Sequence, residues 1–142
     1  MDTTAAIDKL LGQLEMKFEH EEVGEDVVHY AITIDEDEEE IIDALLYQTE
    51  EGPFLRLYAY VDDVDEDHTL EQLKLVLVLN GDLPTGAFCL DAEEGVIDIT
   101  VNIPVSELSP DLLGWMIEFC FVAREMYMTD AYPSDDDDIA QG

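Results

Sequence analysis

The segment DLLGWMIEFCFVAREMYM, residues 111–128, constrains the fold most because it is apolar around most of a helical circumference. The preceding Ser109-Pro110-Asp111 favours a helix start, with an N-cap serine, proline at the first helical position and an acid in the first turn. We therefore predict a helix from Pro110 to about Tyr127. A narrow polar stripe interrupts its apolar surface: Asp111, Gly114, Glu118 and Glu125.

A helix that is apolar on nearly all sides has to be covered on more than one side. A chain of 142 residues supplies one core and leaves little material for a second cover. Homodimerisation would provide that cover, and we predict Trp115, Phe119 and Val122 as dimer-interface residues. The alternative is a central helix enclosed by the chain's own sheet and its other two helices.

The rest of the chain predicts an α+β fold. A first helix carries apolar residues at helical spacing: Ile7, Leu10, Leu11, Leu14 and Phe18. VVHYAITI, IIDALLYQT and FLRLYAYV predict a three-strand meander, and FCL with VIDITVNI predicts a second hairpin. Between them we predict a helix over about 69–80, with Thr69 and Gln72 at capping-box spacing and Asn80-Gly81 as its stop. The order α-β-β-β-α-β-β-α predicts an antiparallel sheet flanked by helices.

The composition is consistent with one domain. With 47% apolar residues the chain can form a core, and we predict a single domain over 1–129 and an acidic, disordered tail over 130–142. No apolar run is long enough to cross a bilayer, and the first residues do not resemble a secretory signal. These features predict a cytoplasmic protein. Cys89 and Cys120 do not form a CxxC pair and are expected to be buried thiols.

The charge is extreme: 37 Asp and Glu stand against 5 Lys and Arg, a formal net charge of -32. Acidic runs include DEDEEE at 35–40 and DDVDED at 62–67. Molar salt shortens the Debye length to about 3 Å and makes such repulsion cheap, so a salt-rich cytoplasm is one explanation. A cationic partner is the other. The charge excludes nucleic acid and disfavours an anionic membrane as partners.

An aromatic row lies on one side of the strand FLRLYAYV. Phe54, Tyr58 and Tyr60 share this side, whereas the alternate residues are aliphatic. The row predicts a groove that binds the apolar side chains of a client polypeptide. An equally weighted interpretation is the second face of a sheet, covered by a helix or by a dimer contact.

Motifs for catalysis, metal binding or cofactor binding are absent from the sequence. Asp63, Asp65 and Asp67 imitate the start of a calcium-binding EF-hand loop, but His68 and Lys74 replace its required glycine and glutamate. The sequence contains no GxSxG, GxxxxGK or GxGxxG pattern. The histidines lack metal-ligand spacing: His20, His29 and His68. We predict no metal, no cofactor and no catalytic residue.

The segment LNGDLPTGAFCLDAEEGVIDITVNIPVSELSPDLLGWMIEFC resembles the type III secretion chaperone-like fold, first the YbjN-domain group and then the CesT/Tir chaperone group. The resemblance is carried by short turn and core motifs: Leu79-Asn80, Gly86-Ala87-Phe88, Asp91 with Glu94-Gly95, Ile103-Pro104, and Leu108-Ser109-Pro110 with Leu112-Leu113. It implies a small acidic homodimer that binds extended segments of partner proteins without ATP, and it implies no catalytic residue.

Together these observations predict a non-enzymatic, chaperone-like adaptor that binds a partner polypeptide as a homodimer. Two other classes stay open from the sequence. One is a small enzyme with a carboxylate-based site, and the other is an acidic decoy that occupies the anion site of a basic protein.

Overall fold

The computed structural model describes residues 3–133. It has three α-helices, six strands and one 3-10 turn, and it confirms the predicted α+β class with one additional strand. In chain order the elements are α1 (Thr3–Gln13), β1 (Lys17–Gly24), β2 (Val27–Asp35), β3 (Glu40–Thr49), β4 (Gly52–Asp63), α2 (Thr69–Asp82), β5 (Ala87–Asp91), β6 (Val96–Pro104), the 3-10 turn (Val105–Glu107) and α3 (Pro110–Ala131).

The strands form one antiparallel sheet in the order β1-β2-β3-β4-β6-β5. Side chains alternate across it, so one face of each central strand is buried against the helices. The buried face is aliphatic except for one tyrosine: Tyr30, Ile32, Ile42, Ala44, Leu46, Leu55, Leu57, Ala59, Val61, Ile97, Ile99 and Val101. The helices add Ile7, Leu11, Leu113, Ile117 and Cys120, among others, to the same core. The opposite face of the sheet is open.

Strand β1 is the element that the sequence did not predict. The first helix ends at Gln13 instead of continuing through Phe18, and Glu15 takes a positive φ of 59° where the chain turns. Phe18 lies on the edge strand and packs near Tyr30, with ring centroids 6.0 Å apart. Phe18 follows Leu11 by seven residues and so fits helical spacing, although it reaches the core from a strand.

Helix α2 begins at Thr69 as predicted. The residues predicted to cap its two ends make other hydrogen bonds. His68 occupies the N-cap position without a capping side-chain bond, and Thr69 Oγ1 donates to the Asp65 carbonyl at 2.8 Å. The helix continues to Asp82. Asn80 instead holds strand β5, since its Oδ1 accepts from Phe88 N at 2.7 Å and its Nδ2 donates to Phe88 O at 3.3 Å.

Helix α3 starts as predicted: Ser109 Oγ accepts a hydrogen bond from Leu112 N at 3.1 Å, and Pro110 is the first helical residue. It ends at Ala131, beyond the predicted end near Tyr127, so the first two residues of the predicted tail are helical. Tyr132 and Pro133 follow the helix, and the remainder of that tail, residues 134–142, lies outside the described residues.

The surroundings of α3 agree largely with the enclosed-helix alternative. It contacts strands β4 and β6 and both other helices, and seven of its residues are buried: Leu113, Met116, Ile117, Phe119, Cys120, Ala123 and Tyr127. Two predicted interface residues stay uncovered, with Trp115 46% and Val122 54% exposed. The apolar surface left for a second chain is therefore a stripe and not most of the helix.

Candidate functional site

The open face of the sheet is where β4 places the predicted aromatic row. Phe54 and Tyr58 are half-buried and Tyr60 is 50% exposed, while the residues between them point into the core. All three described helices pack against the opposite face. No other element within residues 3–133 therefore covers the row.

One end of the row is organised around Asn102. Tyr47 lies opposite Phe54 in the β3–β4 register, and the two rings stack with centroids 6.0 Å apart. The Arg56 guanidinium lies 5.4 Å from the Tyr47 ring, and Arg56 Nε donates to Asn102 Oδ1 at 2.8 Å. The Tyr47 hydroxyl donates to the same oxygen at 3.0 Å. Arg56, a cation on this face, is thus engaged by its neighbours.

The middle of the row is acidic. Tyr58 lies opposite Asp43 on β3, and Tyr60 lies opposite Asp98 on β6. Burial first, and then the charges of Asp43 and Asp98, raise the pKa of Tyr58. The pKa of Asp98 is also raised, first by burial and then by the charges of Asp91 and Asp43. The open face thus combines aromatic rings with carboxylates that repel one another.

The two central carboxylates differ in their partners. Asp43 Oδ1 lies 2.9 Å from His29 Nε2, its diagonal neighbour in the β2–β3 register. Asp98 is half-buried and makes no hydrogen bond or ion pair with any residue of 3–133. A carboxylate that is partly removed from water without a partner is unfavourable.

A second apolar surface lies between α2 and α3. A groove of about 650 Å³ is lined by Leu79 and Asp82 of α2 and by α3 residues that include Phe121, Val122 and Met126. Trp115 stacks on Phe119 with ring centroids 5.5 Å apart and an interplanar angle of 13°. The predicted interface residue Phe119 is only 7% exposed, so in the single chain it supports Trp115 from the core side.

A buried polar cluster, which no sequence motif predicted, joins α2, α3 and the end of β4. Gln72 Nε2 donates to Asp63 O at 2.9 Å and to the Tyr127 hydroxyl at 3.1 Å. The Tyr127 and Tyr132 hydroxyls both donate to Asp62 Oδ2, at 2.9 and 2.7 Å. The available signal was a glutamine within an apolar helical run. Every described buried side-chain nitrogen or oxygen has a partner, so this cluster is a structural joint.

The histidines are dispersed over the fold. His20 lies 3.1 Å from Asp8, His29 pairs with Asp43, and His68 lies 2.9 Å from Asp65. The hydrogen bond from His68 is the main reason that the pKa of Asp65 is lowered. In the described range, no group of three or more His, Cys, Asp or Glu side chains is arranged to hold a metal ion.

The turn DEDEEE is partly neutralised. Asp35 Oδ1 accepts from the backbone N–H groups of Asp37 and Glu38 at 2.9 and 3.3 Å. Glu36 pairs with Lys17, and Glu40 accepts from Arg124 at 3.1 Å. Of the six carboxylates in this turn, those of Asp37, Glu38 and Glu39 have no hydrogen bond or ion pair with another residue of 3–133.

The cysteines differ from each other. Cys120 is buried as expected, and burial raises the pKa of its thiol to about 12. Cys89 is exposed on the edge strand β5, which contradicts the expectation of two buried thiols. Its side chain lies on the open face of the sheet, opposite Asp98, whereas the neighbouring Phe88 lies on the buried face. Separately, none of the helices within residues 3–133 has the length and apolarity to cross a bilayer.

The architecture belongs to the secretion-chaperone-like α+β class, which confirms the resemblance inferred from the sequence. A chain of the HopA1–SchA chaperone–effector complex is similar, with a TM-score of 0.57 and 16% identity over 87% of this chain and 91% of that one. YbjN from E. coli, suggested to be a transcription regulator, is similar with a TM-score of 0.56 and 14% identity over 89% of each chain. A protein of unassigned function from Methanothermobacter thermautotrophicus has a TM-score of 0.65 and 19% identity over 89% of this chain and 94% of that one.

No protein-family model and no curated protein sequence matches the chain. The structural similarities cover nearly the whole domain at identities below 20%, and they establish the shared fold.

Proposed function

We propose that this protein is a non-enzymatic, chaperone-like adaptor that acts in the cytoplasm and holds an extended segment of a partner polypeptide. The observation that carries the proposal is the uncovered aromatic row on β4: Phe54, Tyr58 and Tyr60. Rigid aromatic side chains on a flat sheet give large contact area at low entropic cost, which suits a client without fixed structure. That a chaperone–effector complex contains a chain of this fold supports the same role.

We further propose that the protein works as a homodimer through the stripe on α3 that includes Trp115 and Val122. The adjacent helix α2 adds two strongly exposed aliphatic side chains, Leu77 at 72% and Val78 at 67%. A stripe of this kind is a candidate for association because covering it removes apolar surface from water. The surrounding acids, among them Glu118 and Glu125, would limit association to a specific geometry and keep the dimer soluble.

The polar clusters favour a binding protein over an enzyme. The hydroxyls of Tyr127 and Tyr132 and the amide of Gln72 are used within the chain, and the three histidines lie in separate places. General acid–base catalysis needs such groups together and directed at a substrate.

Binding of a permanently unfolded polypeptide tests the client-binding role. Reduced and carboxymethylated lysozyme, labelled with a fluorophore, is titrated with the protein in molar KCl without nucleotide. We expect micromolar binding that persists in salt, because apolar contacts are not screened. Substitutions Phe54→Ala with Tyr60→Ala should weaken it about tenfold, as expected for the loss of two aromatic contacts.

The matched control is Leu70→Ser, which changes a 63% exposed side chain of α2, a helix that packs on the other face of the sheet. It should leave binding unchanged. Equal weakening by both variants, or no binding by the unmodified protein, would contradict the proposal. Binding that disappears in molar KCl would instead support the decoy alternative.

The mass in solution tests the dimer. Light scattering at micromolar concentration should give about 32 kDa, twice the 16.0 kDa of one chain. Val122→Glu should return the mass to one chain because it places a charge in the apolar stripe, whereas Val23→Glu, on the exposed edge strand, should not. A one-chain mass for the unmodified protein would exclude this interface.

A further inference from the structure

We infer that the open face recognises a basic side chain of the bound polypeptide, a lysine or arginine that lies beside Tyr58 between the carboxylates of Asp43 and Asp98. The apolar neighbours of that side chain would lie on Phe54 and Tyr60. The inference rests on the proposed function, and it adds the chemical class of the client: an extended segment in which apolar and basic residues share one side.

The strand register builds this subsite. Asp43 lies directly opposite Tyr58 on β3, and Asp98 lies directly opposite Tyr60 on β6. Side chains directly opposite each other on one face have Cβ atoms about 5 Å apart. Thr100 lies directly opposite Tyr58 on β6, and Asp98 is the diagonal neighbour of Tyr58 on that strand. Tyr58 thus has one carboxylate directly opposite on β3 and a second diagonally placed on β6, and its ring supplies a face on which a cation can rest.

Among residues 3–133, no lysine or arginine pairs with the carboxylates of this subsite. Asp98 has no partner among the described residues, and Asp43 has only His29, at its Oδ1. Arg56, the nearest arginine along β4, is held by Asn102 and by the Tyr47 ring, while Lys17 pairs with Glu36. The raised pKa of Asp98 reflects the same imbalance, since burial and two neighbouring carboxylates disfavour its charge. The ammonium or guanidinium group of a bound client would stabilise the charged form of Asp98.

A second copy of the chain is the wrong occupant for this face. An isologous contact would bring Asp43 and Asp98 against the same residues of the other copy and double the repulsion. A basic client would instead be attracted to these carboxylates, and the net charge of -32 would accelerate its approach. The observations therefore favour a cationic polypeptide over self-association at this site.

The test uses labelled peptides in which Leu and Lys alternate with Ser, so that Leu and Lys share one side of an extended chain. The matched control peptide has Gln in place of Lys. Fluorescence anisotropy in about 0.15 M KCl, where the Debye length is about 8 Å, gives both affinities. We expect the Lys peptide to bind at least about fivefold more tightly than the Gln peptide, the scale of one favourable ion pair.

Variants separate the subsite from the general charge of the protein. Asp43→Asn with Asp98→Asn should remove most of the preference for Lys, whereas Asp111→Asn with Glu71→Gln removes two exposed helix carboxylates and should leave it within about twofold. Asp98→Asn alone provides a milder version, because Asp98 makes no hydrogen bond that folding requires. Thermal melting checks that each variant folds.

Each other outcome overturns the inference. Equal binding of the Lys and Gln peptides would remove the basic subsite and leave the chaperone-like role intact. If the control double variant loses the preference for Lys as much as the Asp43/Asp98 double variant does, the preference arises from the overall negative charge of the protein. A change in solution mass on replacing Asp43 and Asp98 would make the face a contact between copies. If no peptide and no unfolded lysozyme binds, the proposed function fails as well.

Discussion

The hydroxyl of Tyr127 donates a hydrogen bond to the Asp62 carboxylate at 2.9 Å and so joins the last helix to the end of β4. Tyr127 is fully buried and also accepts from Gln72 at 3.1 Å. The joint closes the interior side of the sheet at the point where α2 and α3 meet. The aromatic row of the proposed client site lies on the opposite face.

Tyr127→Phe should destabilise the protein by about 1–2 kcal/mol, because Gln72 loses an acceptor and Asp62 loses a donor in a buried place. The measurement is urea unfolding followed by circular dichroism. Tyr132→Phe is the matched control: its hydroxyl donates to the same Asp62 oxygen at 2.7 Å, but its side chain is 58% exposed. Tyr132→Phe should lower the free energy of unfolding by less than about 0.5 kcal/mol. An equal loss of stability in the two variants would contradict a role for burial.

The same tyrosine predicts a pH dependence. Burial is the main cause that raises the pKa of Tyr127 from 10.0 to about 12. Since the folded state holds this proton more tightly than the unfolded state, the contribution to stability is complete below pH 10 and is lost towards pH 12. The stability advantage over Tyr127→Phe should therefore shrink across that window. A constant difference would indicate that the hydroxyl ionises normally.

Asp98→Asn should stabilise the unliganded protein by about 0.5 kcal/mol at neutral pH, because it removes a half-buried, unpaired charge. The pKa of Asp98 is raised by burial first and then by Asp91 and Asp43. The folded protein therefore bears no penalty below the ordinary pKa of 3.8 and the full penalty once the pH exceeds the raised value.

The gain from Asp98→Asn should accordingly vanish under acid conditions and appear at neutral pH. Denaturant unfolding at several pH values measures it. Glu125→Gln, at an exposed position on α3, is the control and should show no such pH-dependent gain. Destabilisation by Asp98→Asn at neutral pH would show that the carboxylate has a structural partner.

The sequence predicted those parts of the fold that depend on local contacts. Ser109 and Pro110 define the start of α3 because capping uses residues within one turn. Strand β1 was missed because it is an exposed edge strand without apolar alternation, while Phe18 fits the spacing of the preceding helix. Its strand identity depends on pairing with β2, which no local pattern encodes.

The site was predictable to a similar extent. Alternation along β4 correctly placed Phe54, Tyr58 and Tyr60 on one face, since side-chain direction in a strand has a period of two. The carboxylates beside them could not be found, because Asp43 and Asp98 come from two other strands and their proximity depends on register. Phe119 could not be separated from Trp115 by helical spacing alone, although one is buried and the other is exposed.

The acidic turn at 35–40 predicts a specific dependence on salt. Asp37→Asn with Glu38→Gln removes two unpaired charges and should raise the melting temperature in dilute buffer, while reducing the further rise that molar KCl produces. Glu36→Gln with Glu40→Gln removes two charges that pair with Lys17 and Arg124, and it should lower the melting temperature instead. Scanning calorimetry in both buffers checks each value. Identical responses of the two variants, or no effect of salt on the unmodified protein, would contradict salt adaptation.

Gly86 precedes strand β5, and its backbone leaves no room for a side chain. Its φ is +69°, and an added Cβ would lie 2.6 Å from the carbonyl oxygen of Thr100 and 2.9 Å from Val101 Cγ2. Gly86→Ala should therefore destabilise the protein by at least about 2 kcal/mol, because both the backbone conformation and a backbone contact oppose the methyl group.

Gly12→Ala is the matched control for Gly86→Ala. Gly12 lies in α1, and an added Cβ would meet nothing within 4 Å, so the substitution should stabilise the protein by about 0.5 kcal/mol through reduced freedom of the unfolded chain. Urea unfolding of both variants gives the comparison. Because Gly86 lets β5 pair closely with β6, which carries Asp98, the variant should also weaken the preference for the Lys peptide. Full stability of Gly86→Ala would mean that the strand can move outward without loss and that the register behind the subsite is not fixed there.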